Sequence, residues 1–226
     1  MSNTSALSPV QLWGLGLAAI QSEMSHDDHH SLHGGEDRDK ALASMRNALQ
    51  RDWSVKTRED LLEKIAWLET KGHNHDYMER HRFLAALSDA EREREVARCK
   101  GHVGYYHDQL IISNNLGTLE NVGIAAWDLG RCINLCRWGI ALGLLEESEG
   151  WQRILDISIH CQRLFTGWFH FAVSYNTGRQ YWRSLATKDF VDHQMQGLRR
   201  LTGNPKSPWN TLDWNMPLTP LAEVAS

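Results

Sequence analysis

Residues 123–143, GIAAWDLGRCINLCRWGIALG, constrain the fold more than any other stretch of this chain. On a 3.6-residue period, Ile124, Trp127, Arg131, Leu135, Trp138 and Leu142 fall on one stripe with Asp128 at its edge. The opposite side carries Ala125, Leu129, Cys132, Ile133, Cys136 and Ile140. A helix apolar on both sides is surrounded by protein, so it must be a central element. Its polar residues Asp128, Arg131, Asn134 and Arg137 are then partly desolvated and must find partners, because an uncompensated buried charge costs several kcal/mol. Asp128 and Arg131 can meet at i, i+3, but one such pair leaves guanidinium donors unused.

The rest of the chain supplies helices to surround that one. Ser8–Pro9 is an N-cap and first-turn signature, followed by Val10, Trp13, Leu17 and Ile20 at helical spacing to about residue 24. Leu42, Met45, Leu49 and Trp53 mark a second helix; Thr57 with Asp60 caps a third, which Gly72 ends. A short helix is expected over Asp76–Leu87, and Ser88 caps the charged run DAEREREVARCK, read as a solvated face. The segment from His102 to Asn115 is open between helix and strand. Further helices are expected at about 119–142, 148–165, 167–185 and 188–202, broken at Gly143, Gly167 and Gly203. The tail GNPKSPWNTLDWNMPLTP reads as an extended cap over them. The expectation is a single all-α domain over 1–226 with about 8–9 helices, residues 1–117 packed on a motif-rich half at 118–226.

The composition narrows the role. A net charge of -4 gives no broad basic surface, so nucleic acid is not expected as a partner. The N-terminal apolar stretch is short and follows no Lys or Arg, fitting neither a secretory signal nor a membrane span; a cytoplasmic protein is expected. Cys99, Cys132, Cys136 and Cys161 form no C-x-x-C pair and read as small core residues. Ten tryptophans spread along the chain argue for structural use, each indole needing a partner for one N–H.

His26, His29, His30 and His33 are the metal-ligand candidates, in a stretch between helices beside Gly34 and Gly35; the spacing is wrong for H-E-x-x-H and little would hold them, so a solvated loop without metal is expected. His73 is read as a cap or hinge contact. In WFHFAVSYNTGRQYW, Trp168, Phe171, Tyr175, Arg179 and Trp182 share a stripe, and Gly178 permits close approach. That helix and the central one are expected to face each other across a polar network of Asp128, Arg131, Arg137, Tyr175 and Arg179, which either fixes core packing or lines an anion-binding pocket. No nucleophile–base pair and no P-loop, G-x-S-x-G or G-x-G-x-x-G motif is present, and no cofactor is expected.

GIAAWDLGRCINLCRWG, then EESEGW, FTGW, SYNTGRQYW, SPW and DWNMPL in order, resembles the bacterial family called domain of unknown function 1266, and the resemblance runs upstream through WLETKGHN, RDWSV and LWGLGLAAI. Trp127, Asp128, Arg131, Arg137, Trp138, Trp151, Trp168, Gly178, Arg179 and Trp182 match recurrent positions of that family; Trp127, Trp138, Trp151, Trp168, Gly178 and Trp182 are taken as structural core. The resemblance implies a fold and no activity. The expected role is therefore a non-enzymatic protein-binding or accessory protein, in the form of an immunity protein or a partner of a toxin or secretion-linked protein. The His-rich loop, the acidic turn Glu146, Glu147 and Glu149, or the tail at Trp209 and Trp214 would be its contact surfaces. The alternative is an enzyme or small-ligand sensor with an anion-binding Asp/Arg pocket between helices 119–142 and 167–185.

Overall fold

The computed structural model describes residues 6–25, 27–34, 37–185 and 187–219. All regular structure among them is helical: α1 (Pro9–Gly16), α2 (Ala19–Ser25), α3 (Arg38–Trp53), α4 (Arg58–Thr70), α5 (Asn74–Ala85), α6 (Asp89–Arg98), a 3-10 turn (Cys99–Gly101), α7 (Val103–Asn114), α8 (Ala125–Ala141), α9 (Glu147–Leu164), α10 (Trp168–Arg183), α11 (Lys188–Gly203) and α12 (Pro208–Thr211). The all-α expectation holds, with more helices than the eight or nine anticipated.

Helix α8 is the centre, packed on α4, α9 and α10, while α1 lies on α9, α2 on α11 and α5 on α7. Its burial follows from having almost no polar face: from Ala126 to Gly139 only Arg131 is more than marginally exposed. The glycines set how closely neighbours approach. A Cβ on Gly178 would sit 2.3 Å from the Trp127 Cβ, and one on Gly130 2.9 Å from both the Leu17 carbonyl and the Tyr175 ring. Cys132, Cys136 and Cys161 are buried free thiols. The Cys132 thiol is pushed up by its contact with Cys136 and by burial, as core thiols are.

Three boundaries differ from the sequence reading. The first helix is two, because the Gly16 carbonyl, which would continue the helix, is taken instead by the Trp209 indole N–H at 2.9 Å. The ambiguous 102–115 stretch is helical, as α7. Helix α8 begins at Ala125, not 119, because Gly123 is left-handed at φ 54° and the Ile124 N–H is accepted by the Asn74 side chain.

The tail is built into the core. Trp13, Trp168, Trp209 and Trp214 interlock, Trp13 standing 4.9 Å from both Trp168 and Trp214, and Trp168 stacking on Trp209 at 5.3 Å. Each indole N–H donates to a backbone carbonyl: Trp13 to Asp213, Trp168 to Leu212, Trp209 to Gly16 and Trp214 to Phe165. Four of the ten tryptophans thereby fasten the two ends of the described chain together.

Candidate functional site

The charges of α8 go to three different places. Asp128 does not close an ion pair with Arg131. Its Oδ2 accepts the Asn74 backbone N–H at 2.8 Å and its Oδ1 lies 3.0 Å from His73 Nδ1. The carboxylate thus caps the N-terminus of α5, where His73 provides no side-chain cap of its own. Asn74, the first residue of α5, returns the service: its Oδ1 accepts the Ile124 N–H at 2.7 Å, at the N-terminus of α8. Two helix starts cap each other across the interface. The turns that permit this are Gly72 and Gly123, both at φ 54°; a Cβ on Gly72 would lie 2.2 Å from Asp128 Oδ2, and one on Gly123 2.3 Å from Asn74 Oδ1. Ser174 of α10 adds a stitch, accepting the Ala126 N–H and donating to the Gly123 carbonyl.

Arg137, 1% exposed, anchors the histidine-rich segment. Its Nε donates to the Leu32 carbonyl, Nη1 to the Ser22 hydroxyl, Nη2 to the Asp28 carbonyl at 2.6 Å, and Nη1 pairs with Asp27 at 3.1 Å. The loop expected to be solvated is therefore docked. His29 is 2% exposed with neither ring nitrogen bonded, and burial pulls it down to about 4. The His30 ring lies against it, tilted by 34° with centroids 4.2 Å apart, and reaches the Lys206 carbonyl. His29, His30 and His33 do not gather into a ligand set, and His26 lies outside the described residues; the one His/Asp/Glu group close enough together among the described residues is the exposed trio His75, Asp76 and Glu79.

Arg131 takes the third place. Half-buried, it lies over three indoles, 4.2 Å from the Trp53 ring, 4.7 Å from Trp127 and 5.6 Å from Trp182. Desolvation pulls it down to about 10, against the charge of Asp128. Trp182, expected in the core, is 43% exposed and forms the outer wall of this box, because Trp127 already fills the space against Gly178. Tyr175 is fully buried, its hydroxyl unbonded and acted on by both Arg131 and Arg179. Arg179 lies beyond it, its face over Phe190 at 5.1 Å and Nη1 against the Met24 sulfur at 2.9 Å.

The five expected residues are thus split. Arg131, Tyr175 and Arg179 converge near the C-terminal part of α10; Asp128 and Arg137 are bound elsewhere. The α8–α10 contact is closed by Gly130 and Gly178, and the open clefts flank it. One of about 480 Å³ lies between α2, α3 and α8, with Gln21, Asn134, Trp138 and Lys40 in its lining; one of about 310 Å³ lies between α4, α5, α8 and α9, beside Asp128 and His160. Trp209 and Trp214, considered as exposed contacts, are 7% and 5% exposed. Sequence periodicity missed Trp53 and Arg183 as members of the aromatic–arginine group: by spacing Trp53 belongs only to the apolar stripe of its own helix, and Arg183, the last residue of α10, falls outside the stripe of that helix. It also missed Asn74, although HN directly after Gly72 is a helix-start signal.

Residues 48–214 match the family described as "Protein of unknown function (DUF1266)". The chain is 26% identical over 145 residues to the uncharacterized protein YbeU of Escherichia coli (strain K12), an alignment covering 62% of this chain and 59% of YbeU, so the chain spans about three fifths of that relative. It is 26% identical over 178 residues to the uncharacterized protein YbeR of the same organism, covering 74% of this chain and 75% of YbeR. No solved structure matches.

Proposed function

The chain belongs to the family described as protein of unknown function DUF1266, and we propose that this member is a non-enzymatic binding protein that acts through another protein. The family description assigns no activity, so the reading rests on geometry. One observation carries it: Asp128, the acid of the central helix and the group best placed by sequence to act as an acid, base or metal carboxylate, has one oxygen on a helix-terminal N–H and the other on His73. A carboxylate held by two donors at a helix start has its lone pairs committed to structure, so Asp128 is not free to act as the base beside Arg131, Tyr175 and Arg179. What remains on the surface there is recognition chemistry, namely guanidinium edges and an exposed indole, the groups enriched where proteins bind partners.

The test is mild affinity purification of the full chain from cells that express it naturally, followed by native mass spectrometry. A protein complex of fixed stoichiometry is the expected result, and a toxin as the partner would give the chain an immunity role. A bare chain that converts a co-purified small molecule would refute the reading in favour of an enzyme.

A further inference from the structure

We infer that Arg131, Arg179 and Arg183, with the Tyr175 hydroxyl and the surrounding indoles, form a site for a phosphate monoester. The inference rests on the binding role proposed above, and a separate observation carries it: among the described residues, the polar groups converging here offer donors and find no oxygen acceptor.

Arg131 illustrates this. Its polar neighbour is His73 Nδ1 at 3.5 Å. That nitrogen lies 3.0 Å from the Asp128 carboxylate, so it must carry the proton it donates there and has no lone pair for Arg131. The guanidinium lies against indoles, 4.2 Å from the Trp53 ring and 4.7 Å from Trp127, and donates to no oxygen among the described residues. Arg183 lies over the same Trp182 ring at 4.9 Å, so that indole has a guanidinium associated with it from each of two helices. Arg179, one turn before Arg183 on α10, meets a thioether, a weak acceptor. None of the three forms an ion pair among the described residues. Two buried donors add to the set, the Tyr175 hydroxyl and the Trp127 indole N–H, both without partners.

The nearby acids accept no hydrogen bond from these cations, although the charges of Asp128 and Asp52 reach Arg131. Asp128 is spent on the α5 cap, and Asp52 accepts from the Nε and Nη2 of Arg51, each at 2.7 Å. A half-buried cation is costly unless something accepts from it, and here desolvation lowers both Arg131 and Arg179. None of the described residues supplies an oxygen acceptor for these donors, so an anion from outside the chain fits the place. Three planar donor forks exceed what one carboxylate, with a single charge and two oxygens, can satisfy; a phosphate monoester brings close to two charges and three terminal oxygens. Trp182, the exposed wall, offers its edge and remaining surface to whatever carries the phosphate.

Titration calorimetry on the full chain with inorganic phosphate, adenosine 5′-monophosphate and acetate tests this. Saturable binding of phosphate and the nucleotide, with none of acetate, is expected, and Arg131→Gln or Arg179→Gln should weaken it by about tenfold or more. A nucleotide affinity above that of phosphate, falling to the phosphate level in Trp182→Ala, supports a ring-bearing ligand; equal affinities support the phosphate group as the whole recognition element. Acetate binding as tightly as phosphate overturns the assignment, and so does no saturable binding of either phosphate compound at millimolar concentration. Thermal melting in the absence of anion guards against misfolding. Arg131→Gln should melt close to the wild type, since it removes a cation without an acceptor, whereas a collapse of its melting point makes Arg131 a structural strut and overturns the site. A chain that ignores phosphate yet holds its protein partner loses this site and keeps the binding role.

Discussion

Replacing Asp128 by alanine tests the reciprocal cap most directly. The substitution strips two donors of their acceptor at once: the Asn74 N–H at 2.8 Å and His73 Nδ1 at 3.0 Å, at a carboxylate only 2% exposed. Water cannot replace it without opening the α5–α8 contact. Orphaning a buried donor costs about 1–3 kcal/mol, more where the lost partner was charged, and the carboxylate's favourable interaction with the α5 N-terminus adds up to about 2 kcal/mol. Together these put Asp128→Ala at about 3–5 kcal/mol, or a melting point lower by roughly 10 °C for a chain of this size. Asp128→Asn keeps the shape and one acceptor but turns an NH₂ toward the second donor, so about half the loss is expected. The assay is urea unfolding with thermal melting followed by circular dichroism, on both variants and on His73→Phe alone and combined with Asp128→Ala. The double variant should lose less than the sum of the singles, because they share one contact. An Asp128→Ala protein that melts within about 2 °C of the wild type would refute the cap as a structural element, given that a loss of 1 kcal/mol alone moves a chain this long by 2–4 °C.

Gly72→Ala combines a left-handed backbone at φ 54° with a Cβ placed 2.2 Å from Asp128 Oδ2, so it should destabilise at least as much as Asp128→Asn; equal urea midpoints for Gly72→Ala and wild type would contradict this. Arg137→Leu should release the 27–34 segment along with the Asp27 pair, seen as rapid proteolysis or hydrogen exchange there, and unchanged protection would show that the loop holds itself. His29 gives a pH signature: burial first, then the His30 charge, lowers it from 6.5 to about 4, against a pull upward from Asp28. The folded chain keeps it neutral while the unfolded chain protonates it, so its contribution is fully present above pH 6.5 and is lost as pH falls from 6.5 toward 4, by about 3 kcal/mol in all. Melting at pH 7 and pH 4.5 on wild type and His29→Leu checks it, and identical pH slopes would dismiss His29 as the cause.

Periodicity revealed the all-α class, the central place of the 123–143 helix, the α10 stripe, and the core role of the cysteines, because these follow from apolar residues repeating along a local segment. It also showed that Asp128, Arg131 and Arg137 needed partners, since charge on an all-round apolar helix is a local contradiction. Which partners they found was decided by contacts over long sequence separations: Asp128 with His73, 55 residues away, and Arg137 with Leu32, 105 away. No spacing rule reaches that far. The same limit explains Trp182, whose stripe position suggested core. Its exposure was settled by Trp127 closing on Gly178, a fact of helix packing. The sequence by itself determined that this chain is helical and that its central helix carries charge which must be answered. Only the tertiary structure decided that one charge caps a neighbouring helix and another ties down a loop, while a third stands among tryptophans and donates to no oxygen among the described residues, because hydrogen-bond satisfaction is a property of groups that the fold, not the chain order, brings together.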